Sequence, residues 1–188
     1  MTSLVSLWLP IVLSAVFVFV VSSLIHMVLQ VHKSDYSKLP DEDGVLDALR
    51  QRGAAPGQYV FPFVASMKEF ERPEVKAKFE RGPTGFLVLR GRDCMNMGRA
   101  LGQWFAFCLV IGLLVAYVGG LTLAPGSEGM RVFRITATIT IMAHAFSSVP
   151  DSIWKGIRWA TTWRFVFDGV LYGLTTGATF AWLWPAAA

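Results

Sequence analysis

The stretch Leu4–Val31, LVSLWLPIVLSAVFVFVVSSLIHMVLQV, decides the fold because it contains no aspartate, glutamate, lysine or arginine. A helix crosses a hydrocarbon core about 30 Å thick with roughly 20 apolar residues. A secretory signal peptide would have a basic start and an apolar segment of only roughly 7–15 residues, whereas MTSLVSLW at the start of this chain has no basic side chain. We therefore interpret residues 4–31 as an uncleaved membrane span.

Three further apolar runs have the length of a membrane span. They cover residues 101–123, 132–149 and 165–184, and the last contains Asp168. The chain is 54% hydrophobic and 16% charged, whereas a soluble domain is about 25% charged. The sequence predicts an all-α integral membrane protein, a four-transmembrane-helix bundle with a cytoplasmic insertion of roughly 67 residues, 33–99, between the first two spans.

The basic residues predict the orientation, since cytoplasmic loops carry the excess of lysine and arginine. Of the 17 basic residues, 12 lie within 33–99 and three between the last two spans. Only Arg131 and Arg134 lie on the other side. We predict a multi-pass protein of the bacterial cytoplasmic membrane with both termini in the periplasm.

The seven tryptophans lie near the predicted span ends, where indole rings favour the headgroup region. We expect them to be interfacial anchors, on the outer side Trp8, Trp182 and Trp184, and on the inner side Trp104, Trp154, Trp159 and Trp163. Both groups agree with the orientation that the charges predict.

The insertion is predicted to contain two short amphipathic helices, over 39–53 and 72–82, and an extended piece over 86–90. Proline and glycine in AAPGQYVFPF, residues 54–63, argue against regular structure there. Four phenylalanines are expected to anchor the insertion on the membrane surface or on a partner, namely Phe61, Phe63, Phe70 and Phe79. The alternative is a cap over the bundle that binds no partner.

Polar side chains at helical spacing predict a buried layer inside the bundle. They are Thr136, Thr140, His144 and Ser147 on the third span, and Asp168, Tyr172, Thr176 and Thr179 on the fourth. On the first span Ser22 and His26, together with the small Ala15, form a weaker stripe. With a rise of 1.5 Å per residue, His26, His144 and Asp168 lie roughly 6–9 Å from the cytoplasmic boundary. Gln103 could join them, whereas His32 is expected at the headgroups beside Lys33.

Three interpretations of this layer remain open. Its members satisfy one another as interhelical hydrogen bonds, or His26 and His144 bind a metal ion or a haem, or Asp168 exchanges protons or ions with a histidine. The Asp168 carboxylate could also simply pair with Arg164, one helical turn earlier.

The fourth span carries glycines at strict four-residue spacing: Gly169, Gly173 and Gly177. A ridge without side chains lets another helix approach closely. We expect this face to pack against a helix of the bundle or of another subunit.

Several short segments carry a resemblance to known sequences. HKSDYSKLPDED, PGQYVFPF, KFERGPTGF, NMG and DSIWKG together resemble segments of uncharacterised four-span inner-membrane proteins of bacteria. The resemblance implies a four-span topology and a bacterial origin, and it assigns no catalytic residue.

The function predicted from these observations is that of an accessory or scaffolding subunit in a larger, energy-transducing membrane complex. No catalytic motif, nucleotide-binding loop or HExxH motif is present, and positive-inside loops account for the net charge of +4 without nucleic acid. Membrane lipids and other subunits, or a second copy, are the expected partners. The alternatives are a haem- or metal-binding redox protein that uses His26 and His144, and a small ion or proton transporter that uses Asp168.

Overall fold

The computed structural model describes residues 2–91 and 96–187. The chain is mostly helical and divides into two compact units. The first unit comprises Met1–Asp35, Met97–Ile153 and Ile157–Ala188, and the second comprises Tyr36–Asn96 and Trp154–Gly156. Each unit is described by itself below.

The helices begin and end as follows in chain order. They are α1 (Trp8–Ser23), α2 (Glu42–Gln51), α3 (Met67–Phe70), α4 (Pro73–Arg81), α5 (Met97–Thr122), α6 (Gly129–Ala145), α7 (Val149–Lys155) and α8 (Trp159–Trp182). The strands are β1 (Gly57–Phe61) and β2 (Gly85–Leu89). The chain is therefore mainly, but not entirely, α-helical.

Three helical segments among the described residues are long and apolar enough to cross a membrane. They are Val5–Val28, Met97–Thr122 and Gly129–Lys155, which indicates a membrane protein. The third extends beyond the predicted 132–149 at both ends, because α6 begins at Gly129 and the segment continues to Lys155. Arg131 and Arg134 therefore lie on the helix. The fourth long helix, α8, is not among the three.

The first unit has its apolar core between α1, α5, α6 and α8. One buried cluster contains Leu7, Ile111, Val115, Ala116, Leu123, Val132 and Phe180, and a second contains Ala15, Val18, Ile25, Cys108 and Tyr172. Four threonines of α6 and α8 donate to the carbonyl one turn earlier, as Thr140 does to Thr136 O at 2.9 Å. The hydrogen bonds of these four hydroxyls stay within their own helix, so the helix faces can pack closely.

The closest packing lies between α6 and α8, where the three glycines of α8 meet small side chains of α6. Cβ atoms added to Gly169 and Gly177 would lie 2.5 Å from Ala145 Cα and 2.7 Å from Ala137 Cβ. Gly173 faces Ile141 and Ala137 in the same way. The glycine face therefore packs within this chain.

The second unit is a two-stranded antiparallel sheet with short helices. β1 pairs with β2 so that Tyr59 lies opposite Leu87. The Asp41 side chain accepts from Gly44 N at 3.4 Å where α2 begins, and α4 ends at Gly82, which has φ +62°. The prediction of irregular structure over residues 54–63 is wrong for β1, because pairing with a strand distant in sequence outweighs the local proline and glycine content.

The α6–α8 packing predicts that Gly169→Ala destabilises the protein. The added methyl would force the two backbones apart, and overpacking of this kind costs about 1–3 kcal/mol. Thermal unfolding in detergent measures the effect. Gly102→Ala on α5 is the control, since its Cβ would meet no atom within 4 Å. Equal unfolding temperatures for the two variants would contradict this packing.

Candidate metal-binding site

His26 and His32 meet because the first span ends in a wide turn and then reverses. Leu29 N donates to Leu24 O at 2.9 Å, a hydrogen bond across five residues that widens the helix around His26. Gln30 then adopts φ +50°, in the left-handed region. This reversal stacks the ring of His32 on the ring of His26, with centroids 4.4 Å apart and planes inclined by 22°.

Asp168 on α8 faces both histidines from inside the bundle and is only 2% exposed. Its Oδ2 lies 2.8 Å from His32 Nε2 and 3.3 Å from His26 Nε2. Its Oδ1 is buried and has no hydrogen-bond partner within the described part of the chain. A buried carboxylate oxygen without a partner is costly, so this atom has spare capacity to bind a cation or a donor.

Asp35 holds the opposite side of the His32 ring. His32 Nδ1 lies 2.5 Å from Asp35 Oδ2, and Arg164 donates to Asp35 Oδ1. Arg158 fixes the same loop, because it donates to the backbone oxygens of Ser34 at 2.5 Å and Asp35 at 2.9 Å. Burial alone would raise the pKa of Asp35, but hydrogen bonds from His32, Arg164 and Thr161 outweigh it and keep this pKa below its ordinary value.

The hydrogen bonds to Asp35 leave His32 Nε2 and Asp168 Oδ2 facing each other as two acceptors with no proton assigned between them. An ionised Asp35 accepts the Nδ1 proton of His32, which leaves a bare lone pair on Nε2 when the ring is neutral. That lone pair and an ionised Asp168 are both acceptors. A contact at 2.8 Å therefore requires a proton shared by the two atoms, and a metal ion that replaced this proton would move the two atoms apart to about 3.4 Å.

The three side chains form a potential set of metal ligands. One ligand atom from each of His26, His32 and Asp168 lies within 4.8 Å of the other two. Two ligands bound to one tetrahedral ion at about 2.0–2.2 Å are about 3.4 Å apart. The His26–Asp168 separation of 3.3 Å is close to this value, whereas the His32–Asp168 separation of 2.8 Å would lengthen by about 0.6 Å on metal binding. Asp35 orients His32 through its second ring nitrogen, an arrangement that recurs behind metal-bound histidines.

A cavity of about 590 Å³ adjoins this set of ligands. His26 and Asp168 form one part of its wall, and α5, α6 and α8 supply most of the rest, including Trp104, Phe107, His144 and Tyr172. The His144 ring lies edge-on to these three aromatic rings, with centroids 5.4–5.8 Å away. Trp104 Nε1 also donates to Ser22 Oγ at 2.9 Å.

The structure brings together only part of the predicted polar layer. His26 and Asp168 are in contact, and His144 lines the same cavity inside an aromatic cluster. The prediction that Gln103 joins the layer is wrong, because Gln103 is exposed. It is adjacent to Trp104, and one residue rotates the side-chain direction by about 100° around a helix, so Trp104 faces the cavity and Gln103 does not.

One predicted ion pair and two predicted anchors also differ in the structure. Arg164 pairs with Asp35 and not with Asp168, one turn along its own helix. Trp104 is turned inward and is not a surface anchor, and Trp184 packs on the core and donates to Ala124 O at 3.0 Å. The other five tryptophans are exposed, namely Trp8, Trp154, Trp159, Trp163 and Trp182.

His32 and Asp35 are the site residues that the sequence analysis missed. A helix continued to Val31 carries His32 to the headgroup region, whereas the reversal at Gln30 returns it to Asp168. Glutamine gives no signal for a left-handed residue. The available signal was the HxxD spacing of His32 and Asp35, which places a carboxylate within reach of a ring nitrogen in a tight turn.

Comparison with known proteins does not extend these observations. No protein-family model, curated protein or solved structure matches this sequence. The resemblance based on short segments gains no support from these comparisons.

Proposed function

We propose that this chain is a four-span membrane protein that binds a divalent transition-metal ion through His26, His32 and Asp168. The observation that carries the proposal is the convergence of two imidazole nitrogens on one buried carboxylate whose second oxygen has no partner in the described part of the chain. This replaces the predicted pair His26 and His144, since His144 is enclosed by aromatic rings.

The donor set favours particular ions and leaves room for a further ligand. Two imidazoles and one carboxylate suit zinc and non-haem iron, and such three-ligand sites keep at least one position for water or substrate. His26 is 41% exposed at its side chain and lines the cavity. The free position would therefore face the cavity, as expected of a working site more than of a purely structural one.

We further propose that α8 is the fourth span and that both termini lie in the periplasm. Its 24 residues reach about 36 Å at 1.5 Å per residue, enough to cross the hydrocarbon core. The polar groups that lower its hydropathy are turned inward, because Asp168 and Thr176 are buried while Phe167 and Leu174 are exposed. The distribution of basic residues supports a cytoplasmic location for the second unit.

A role as an accessory subunit is a second candidate, supported by the second unit. Not one of its described residues between 36 and 91 is buried. Phe63 and Met67 are 75% and 77% exposed, and large apolar side chains exposed together are typical of interaction surfaces. A partner subunit would cover them.

Metal binding is expected to follow the proposed ligand set. His26→Ala, His32→Ala and Asp168→Ala should each abolish stoichiometric binding of Zn²⁺, measured by titration and metal analysis of the purified protein in mild detergent. Asp35→Asn should weaken binding about 10–100-fold, since it only orients His32. His144→Ala is the control and should bind normally. Binding that depends on His144 but not on His32 would refute the assignment.

The topology predicts opposite behaviour of reporters at two positions. Alkaline phosphatase fused after Ala188 should be active, because this enzyme folds only outside the cytoplasm, whereas the same fusion after Gly156 should be inactive. A green fluorescent protein fused at each position should show the reverse pattern. An inactive phosphatase at the C-terminus would indicate that α8 does not cross the membrane.

The accessory role predicts a large assembly that depends on the second unit. Native gels of membranes gently solubilised at native expression should show the chain in a complex, and Phe63→Glu should release it because the charge disrupts an apolar interface. Gln51→Glu, an exposed charge change on α2, is the control. A solitary unmodified chain under these conditions would exclude the role.

A further inference from the structure

We propose that the cavity beside the metal-binding site binds an amphipathic anion, that is, a singly charged head group on an apolar chain. The proposal rests on the metal site proposed above, because the bound ion supplies the positive charge that the head group would neutralise. The head group would take the free position on the ion, and the chain would fill the cavity.

The size and walls of the cavity fit such a molecule. A volume of about 590 Å³ lies within the range of about 300–1,000 Å³ found for small-molecule sites. The walls away from His26 and Asp168 are mainly apolar, with Leu101, Trp104 and Phe107 among them. A ligand with its polar atoms at one end and hydrocarbon at the other matches this division.

The cavity is accessible from outside the bundle. Met27 and Met97 both contribute to its wall, and each is 68% exposed. Met27 also belongs to a segment apolar enough to lie in the membrane. Methionine side chains are flexible and adapt to ligands of varied shape. A membrane-soluble molecule could therefore enter sideways, without passing through water.

The charges around the ion favour an anion over a neutral head group. Two neutral imidazoles, ionised Asp168 and Asp35, the Arg164 guanidinium and a divalent ion leave one excess positive charge. Arg158 also contacts residues 34 and 35, but it is exposed and solvent screens its charge. An unbalanced charge beside a low-dielectric cavity is unfavourable. One carboxylate or phosphodiester on the ion would balance it.

Without the ion the same groups have no positive excess. Asp168 and Asp35 outnumber Arg164, and one shared proton brings the group only to neutrality. Binding of the anion should therefore depend on the metal, and by linkage the anion should tighten metal binding by the same factor. A factor of roughly 5–150 is typical of such coupling between two ligands.

Cobalt provides a direct test, because the visible absorption of Co²⁺ reports its coordination. The full chain in mild detergent is loaded with Co²⁺ and titrated with decanoate. We expect the spectrum to change with saturation, and the Co²⁺ affinity to rise at least about fivefold at saturating decanoate. Acetate, which lacks the chain, and decanol, which lacks the charge, should bind far more weakly.

Two variants separate the cavity from the ion. Ala143→Leu fills the cavity wall and should abolish the response to decanoate while Co²⁺ binds normally. Ala106→Leu, at an exposed position on α5, is the control and should respond fully. A short-chain phosphatidylglycerol in place of decanoate distinguishes a membrane lipid from a free fatty acid as the source of the anion.

The possible results distinguish failure of the anion site from failure of the metal site. Co²⁺ that binds without any response to either anion overturns this inference and leaves the metal site standing. An equal response to decanol, or decanoate binding that is independent of Co²⁺, also overturns it. Failure of Co²⁺ and Zn²⁺ to bind overturns the metal site and the inference together.

Discussion

The first unit depends on one constraint, a carboxylate buried inside a helix bundle near the end of its first long helical segment. Asp168 is almost inaccessible, yet it contacts two histidines that follow one another at the end of the first span. A buried charge without partners would cost several kcal/mol, so the surrounding chain has to supply donors or cations. The wide turn around His26 and the reversal at Gln30 bring the two histidines to Asp168. Arg158 and Arg164 hold residues 34–35 in place beside His32.

The position of Asp168 is set in turn by the packing of α6 against α8. Gly169 follows Asp168 directly, and its backbone lies against Ala145. Such an approach leaves no freedom for α8 to rotate, because any rotation would bring a side chain into the backbone of α6. The small-residue face therefore orients the carboxylate toward α1 while other side chains of α8 line the cavity. The close packing of α6 against α8 therefore also sets the position of the Asp168 carboxylate relative to the two histidines.

Much of this arrangement can be predicted from the sequence. Apolar runs locate the long helices, and helical spacing places Thr136, Thr140, Tyr172 and Thr176 on buried faces because a 3.6-residue period is a local property. The proximity of His26 to Asp168 follows from their common depth together with the inward-facing polar stripe on each helix. The contact of His32 with Asp168 cannot be predicted in this way, because it depends on a backbone reversal at Gln30, where no glycine or proline indicates a turn. Depth alone also predicts Gln103 in the buried layer, but depth does not say which way a side chain points, and Gln103 is exposed. Strand β1 cannot be predicted from its local sequence, because it forms by pairing with β2, which is distant in the chain.

The X-ray absorption spectrum of the zinc-loaded protein tests the proposed ligands most directly. We expect two imidazole nitrogens and a carboxylate oxygen at about 2.0–2.2 Å from the ion, and loss of one imidazole in His32→Ala. A spectrum with a sulfur ligand, or with imidazole scattering that is unchanged in His32→Ala, would contradict this assignment.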